Sequence, residues 1–100
     1  MVYQIVWEFE VEPAQATAFE REYGAKGVWA TFFREGDGFL GTALFQSLED
    51  GGRYLTVDRW TSRAAFEGFK LKRAGDYADI DTRCAALTRA ERLVAAGEDA

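Results

Sequence analysis

The sequence predicts an α+β domain: one antiparallel sheet of four strands with helices packed on a single face. Three observations point there. Apolar and polar residues alternate over residues 2–12 and again over 53–60, the period of a half-buried strand. Apolar residues recur at helical spacing over 14–23 and 62–73. The elements follow in the order strand, helix, strand, strand, helix, strand. One hundred residues suffice for one such domain, spanning 1–100, and not for two.

In the first strand, Tyr3, Ile5, Trp7, Phe9 and Val11 share one face, while Gln4, Glu8, Glu10 and Glu12 share the other with Val6. Pro13 ends the strand and suits the first turn of a helix, where its missing N–H costs nothing. Ala16, Phe19, Glu20 and Tyr23 then stack at helical spacing, until Gly24 and Gly27 interrupt. Val28–Phe33 is too aromatic for a solvated linker and reads as a short helix or an ordered loop. Gly36–Gly38 is a turn by composition, and residues 39–46 form the second strand. Asp50–Gly52 closes a polar connection as a hairpin turn.

The third strand, 53–60, runs straight into a helix. Tyr54, Thr56, Asp58 and Trp60 face one side, and Leu55, Val57 and Arg59 the other. At Thr61-Ser62 a hydroxyl caps the free N–H groups of the helix, which reaches about Arg73. Gly75 and Asp76 break or restart it, and Tyr77, Ile80, Cys84 and Leu87 extend it by a further turn or two. Residues 89–96 form the fourth strand, its alternation blurred by alanine, and 97–100 are expected to fray. This order is the ferredoxin-like split βαβ pattern. Its uncovered sheet face calls for a second copy, so a homodimer is expected.

Composition narrows the function. Fifteen aromatic residues (three Trp, four Tyr, eight Phe) are many for so short a chain and suggest a second apolar surface, a dimer interface or a ligand cavity. A net charge of -5 argues against nucleic acid, whose binding depends on Lys and Arg neutralising phosphates. A lone cysteine excludes an intrachain disulfide, and the absence of histidine removes the usual general base and the usual zinc and haem ligand. With no apolar run long enough to span a bilayer and no leader-like start, the expectation is a soluble cytoplasmic protein without a membrane partner.

The segments Phe19–Gly24, Gly27–Phe33, Gly38–Thr42, Tyr54–Phe66 and Tyr77–Thr88 resemble the antibiotic biosynthesis monooxygenase family, small proteins with a dimeric α+β barrel. The strand-ending Trp60 followed by Ser62, Ala65 and Phe66 is the most specific match. The resemblance implies oxidation of polycyclic aromatic compounds by molecular oxygen with neither metal nor flavin. It also implies a cleft between sheet and helices, shaped by Trp60. In those oxygenases an Asn stands four residues before that Trp and a Tyr six after it; here the positions hold Thr56 and Phe66. The haem-degrading branch of the superfamily needs a histidine ligand, which this chain lacks.

The candidate substrate-binding residues are Trp60, Trp29, Phe33, Tyr77 and Tyr23. Trp60 either lines the cleft or is a core wedge whose indole N–H finds a backbone carbonyl. Trp29, Phe32 and Phe33 cap a pocket or pack a short helix. Tyr23 and Tyr77 orient or deprotonate a phenolic substrate, or bury their rings with the hydroxyl at the surface. Arg59 is expected to pair across strands with Glu8 or Glu10. Asp58, a carboxylate base if desolvated, is expected to be exposed. Asp76, Asp79 and Asp81 read as helix-start charges, and Cys84 as an inert core residue. The leading function is a cofactor-independent monooxygenase for a small aromatic or quinone-like compound. The alternative is a non-catalytic dimeric binding or structural protein of the same fold.

Overall fold

The computed structural model describes residues 1–100. Strands β1 (Tyr3–Glu10), β2 (Phe39–Gln46), β3 (Arg53–Trp60) and β4 (Ala90–Glu98) form one antiparallel sheet in the order β2-β3-β1-β4. Helices α1 (Ala16–Tyr23), α2 (Val28–Phe33), α3 (Arg63–Lys72) and α4 (Ala74–Cys84) pack on one face. This is the ferredoxin-like α+β arrangement that the strand and helix periods predict.

The inward face of the central strands is the core. Tyr3, Ile5 and Phe9 of β1 and Tyr54, Thr56 and Trp60 of β3 are buried, in the alternation expected of a pleated strand. Phe19 and Tyr23 of α1, Trp29, Phe32 and Phe33 of α2 and Phe69 of α3 meet them from the helical layer. Phe19 and Tyr23, four residues apart on α1, stack at 4.3 Å between ring centroids.

Val28–Phe33 is a helix because Gly27 lets the chain fold back tightly. A Cβ at Gly27 would meet the Glu22 carbonyl oxygen at 2.3 Å. Ser62 caps α3 as its position predicts, accepting from the Ala65 N–H at 3.1 Å. Just before it, the Thr61 N–H donates to the Gly38 carbonyl at 2.7 Å, tying the β2 turn to the end of β3. Gly38 takes φ +95°, a conformation side chains rarely adopt.

Several expectations are corrected. The helix does restart after Arg73, but α4 runs for 11 residues, with a further 3-10 turn at Ala85–Leu87. The end of the chain does not fray at 97: β4 reaches Glu98, and Asp99 N–H donates to the Val2 carbonyl at 3.0 Å. The blurred alternation of β4 has a second cause besides alanine. The register shifts between Val6 and Trp7, which face Ala95 and Leu93 and leave Val94 as the extra residue of a bulge. Arg59 does not pair with Glu8 or Glu10, because the register sets it opposite Gln4 and Gly41. Arg53 takes that place, 3.3 Å from Glu8 and 3.9 Å from Glu10. The opposite face of the sheet carries no helix. Phe45 stands 55% exposed there beside Leu55 and Val57.

Candidate functional site

A cavity of about 210 Å³ opens between the sheet and the helical layer. Its apolar wall comes from Trp7 and Phe9 of β1, Tyr23 of α1, Trp29 and Phe33 of α2 and Tyr77 of α4. Thr42 of β2 and Thr56 and Asp58 of β3 supply its polar sheet side. Lys70, Asp81 and Glu91, all exposed, stand at its mouth. The alternation of β1 and β3 directs Trp7, Phe9, Thr56 and Asp58 inward. The short α2 brings Trp29 and Phe33 over them.

Of the candidate residues, Trp29, Phe33, Tyr77 and Tyr23 meet around this cavity, and Trp60 does not. Trp60 is fully buried behind Phe33, wedged among Phe33, Phe39, Phe66 and Phe69 at centroid distances of 5.2–5.7 Å. Its indole N–H finds no acceptor, backbone or otherwise. Phe66 packs on Trp60 and on Tyr3, away from the cavity. Thr56, in contrast, lies within the cavity wall and is buried there.

Asp58 is not solvent-exposed as its charge suggests. It is half-buried against the cavity, and desolvation pushes its carboxyl up to about 6, with the Thr42 hydroxyl pulling the other way. Thr42 Oγ1 donates to Asp58 Oδ1 at 2.5 Å. Burial also raises the Tyr77 phenol to about 12, helped by the negative charges of Asp81, Asp58 and Glu91. The Tyr23 phenol is pushed up further, first by desolvation. Both tyrosines are therefore donors at neutral pH and not bases. The Trp29 N–H lies close enough to the Tyr23 oxygen to oppose part of that rise, yet it does not reach hydrogen-bond geometry and is an unpartnered buried donor.

At the mouth, Lys70 Nζ sits 4.7 Å from the Tyr77 ring centroid, a cation–π contact. Asp81 is a correction too: it is no helix-start charge but stands in the second half of α4, over the cavity. Asp76 does lie in the first turn, bound to Arg73 at 2.8 Å. Cys84 is buried, and desolvation raises its thiol. No set of carboxylates and thiol converges closely enough to hold a metal ion.

Residues 1–72 match the family model described as antibiotic biosynthesis monooxygenase. The chain belongs to the antibiotic biosynthesis monooxygenase family. Solved structures agree on the fold. A Bordetella bronchiseptica protein assigned to this family superposes with a TM-score of 0.74 at 18% identity, covering 99% of this chain and 97% of the other. A Deinococcus radiodurans protein of like assignment gives 0.73 at 20% identity, covering 100% and 93%. SnoaB of Streptomyces nogalater, a cofactor-independent oxygenase, gives 0.65 at 24% identity, covering 98% and 95%. No curated protein sequence matches the chain. No helix is long and apolar enough to cross a membrane.

Proposed function

We propose that this member of the family is a cofactor-independent monooxygenase acting on a small aromatic or quinone-like compound, and that it works as a homodimer. The cavity carries the reading. It is walled by six aromatic rings, and its polar groups gather on the sheet side and at the mouth. An apolar cavity of about 150 Å³ suffices for benzene, so about 210 Å³ is on the scale of a one- or two-ring compound.

The protein's part is positioning and exclusion of water. Trp29, Phe33 and Tyr77 hold the ring system, and the Tyr23 and Tyr77 hydroxyls donate to its oxygen atoms. The substrate supplies the electrons. One atom of dioxygen enters it, and the other leaves as water with two hydrogens taken from the substrate. Family membership supports the reaction type, and the size and aromatic lining of the cavity support the substrate class.

Thr56 and Phe66 favour a second reading, a binding protein without catalysis. They replace the polar Asn and Tyr that the resemblance associates with oxygenases. One experiment separates the two: tryptophan fluorescence against hydroxyquinones and polyphenols, with oxygen uptake followed in the same samples. Saturable quenching that weakens in Trp29→Phe, with uptake above the protein-free rate, supports the oxygenase. Quenching without uptake supports the binding protein, and the absence of quenching defeats both.

A further inference from the structure

We propose that Asp58 is the specificity-determining acceptor of this cavity, binding the hydroxyl of a neutral hydroxyaromatic ligand and placed to take its proton. The inference rests on the aromatic cavity being a ligand site, as proposed above, and goes beyond it to the chemistry that chooses the ligand.

The geometry leaves Asp58 half of its capacity. Oδ1 accepts from Thr42, while Oδ2 has no partner in the protein and belongs to a side chain that lines the cavity. The other polar groups around it are donors or stand outside. Tyr23 of α1 and Tyr77 of α4 keep their protons, and the Trp29 N–H of α2 has no acceptor. Thr56, next on the same face of β3, offers an unpartnered hydroxyl. The Trp29 nitrogen is sealed from the cavity, so a ligand carrying both a hydroxyl and a carbonyl would satisfy the free Asp58 oxygen and the Thr56 hydroxyl together.

Charge selects further. Asp58, Asp81 of α4 and Glu91 of β4 face the cavity against one cation, Lys70 of α3. A ligand that enters as an anion meets three carboxylates, whereas a neutral hydroxyl meets an acceptor. Proton transfer inside the site then balances simply. The ligand O–H bond breaks, its electron pair stays on the ligand oxygen, and a new O–H bond forms on Asp58 Oδ2. The electron-rich anion is created only after entry, and the net charge of the complex does not change.

The test compares β-naphthol with its methyl ether by calorimetric titration between about pH 5 and about pH 8, where the naphthol stays neutral. Neither probe needs to be oxidised, so the result is independent of catalysis. In the wild-type protein the naphthol should bind about tenfold more tightly than the ether at the upper end, the worth of one hydrogen bond to a charged group. That preference should fade as pH falls through about 6, where Asp58 takes up its proton. Asp58→Asn, checked for folding by circular dichroism, should lose the pH step. Thr42→Val keeps the carboxylate but removes the bond that favours its charge, and should move the step to higher pH. Equal affinity for both probes, or an unchanged step in Asp58→Asn, overturns the role of Asp58 while leaving the aromatic cavity standing. Failure of both probes to bind overturns the cavity reading as well.

Discussion

Thr42 and Asp58 are directly opposite one another on β2 and β3, and the threonine hydroxyl donates to the carboxylate at 2.5 Å. That one bond does not offset the desolvation imposed by the helical layer, so the carboxyl ends near 6, well above the ordinary 3.8. The folded protein therefore holds the Asp58 proton more tightly than the unfolded chain. The associated stability is fully present below about 3.8 and is lost as pH rises through about 6. At full effect the difference corresponds to roughly 3 kcal/mol. Asp58→Asn removes the charge and should melt higher than wild type near pH 8, while the two should converge near pH 4. Thermal unfolding at both pH values checks this, and a variant that loses stability at pH 8 contradicts it.

Trp60 should matter to stability and little to ligand. Its ring is fully buried among four phenylalanines and stands behind Phe33, outside the cavity wall. Trp60→Ala should cost about 3–5 kcal/mol in denaturant unfolding, the scale of an emptied aromatic site. Trp60→Phe should cost less, because it also deletes an indole N–H that has no acceptor. Affinity for a cavity ligand should stay within about twofold in Trp60→Phe, since it removes no wall residue. A tenfold loss there would make Trp60 part of the site.

Much of this arrangement is written in local pattern. The alternation of β1 and β3 sets Trp7, Phe9, Thr56 and Asp58 on the inward face, and Ser62 marks the start of α3. What pattern does not carry is register and cover. Arg53 rather than Arg59 meets Glu8 because of the β1–β3 offset, which no single strand reveals. The period of β3 puts Asp58 on the face of Tyr54, Thr56 and Trp60, while its charge argues for solvent. The helices packed above it decide for the period. Lys70, Asp81 and Glu91 come from α3, α4 and β4 and converge only in three dimensions. Trp60 sits at a strand end that sequence alone leaves equally open to core and cleft, and the packing of Phe33 in front of it makes it core.

Tyr54 should anchor α1 to the sheet by its hydroxyl as well as by its ring, which meets Phe19 at 4.8 Å between centroids. Its ring is buried, and its hydroxyl donates to Glu20 Oε2 at 2.5 Å. Burial and then the Glu20 carboxylate push the phenol up to about 12. Because the folded value lies above the ordinary 10.0, this contribution is present at neutral pH and disappears as pH rises through about 12. Tyr54→Phe should cost about 1–2 kcal/mol at pH 7 without altering cavity binding. In an ultraviolet titration, Glu20→Gln should let one tyrosinate form at lower pH than in wild type. No change in either measurement would show the bond to be energetically idle.

The uncovered sheet face gives the sharpest test of assembly. Val6 of β1, Ala43 and Phe45 of β2 and Leu55 and Val57 of β3 lie on the side without helices. Phe45 leaves 55% of its surface in solvent. An apolar sheet face of this kind is costly in water and is the type of surface that a second copy covers in an isologous contact. The wild-type protein should scatter light as twice 11.2 kDa at micromolar concentration. Phe45→Glu should shift it toward 11.2 kDa, since a charge buried in such a contact goes unpaired. Phe45 is exposed in the single chain, so the substitution spares the core, and circular dichroism should show the same secondary structure in both. A wild-type monomer would remove the dimer. A Phe45→Glu dimer would instead move the contact to the exposed Leu93 and Val94 of β4, at the opposite edge of the sheet from β2.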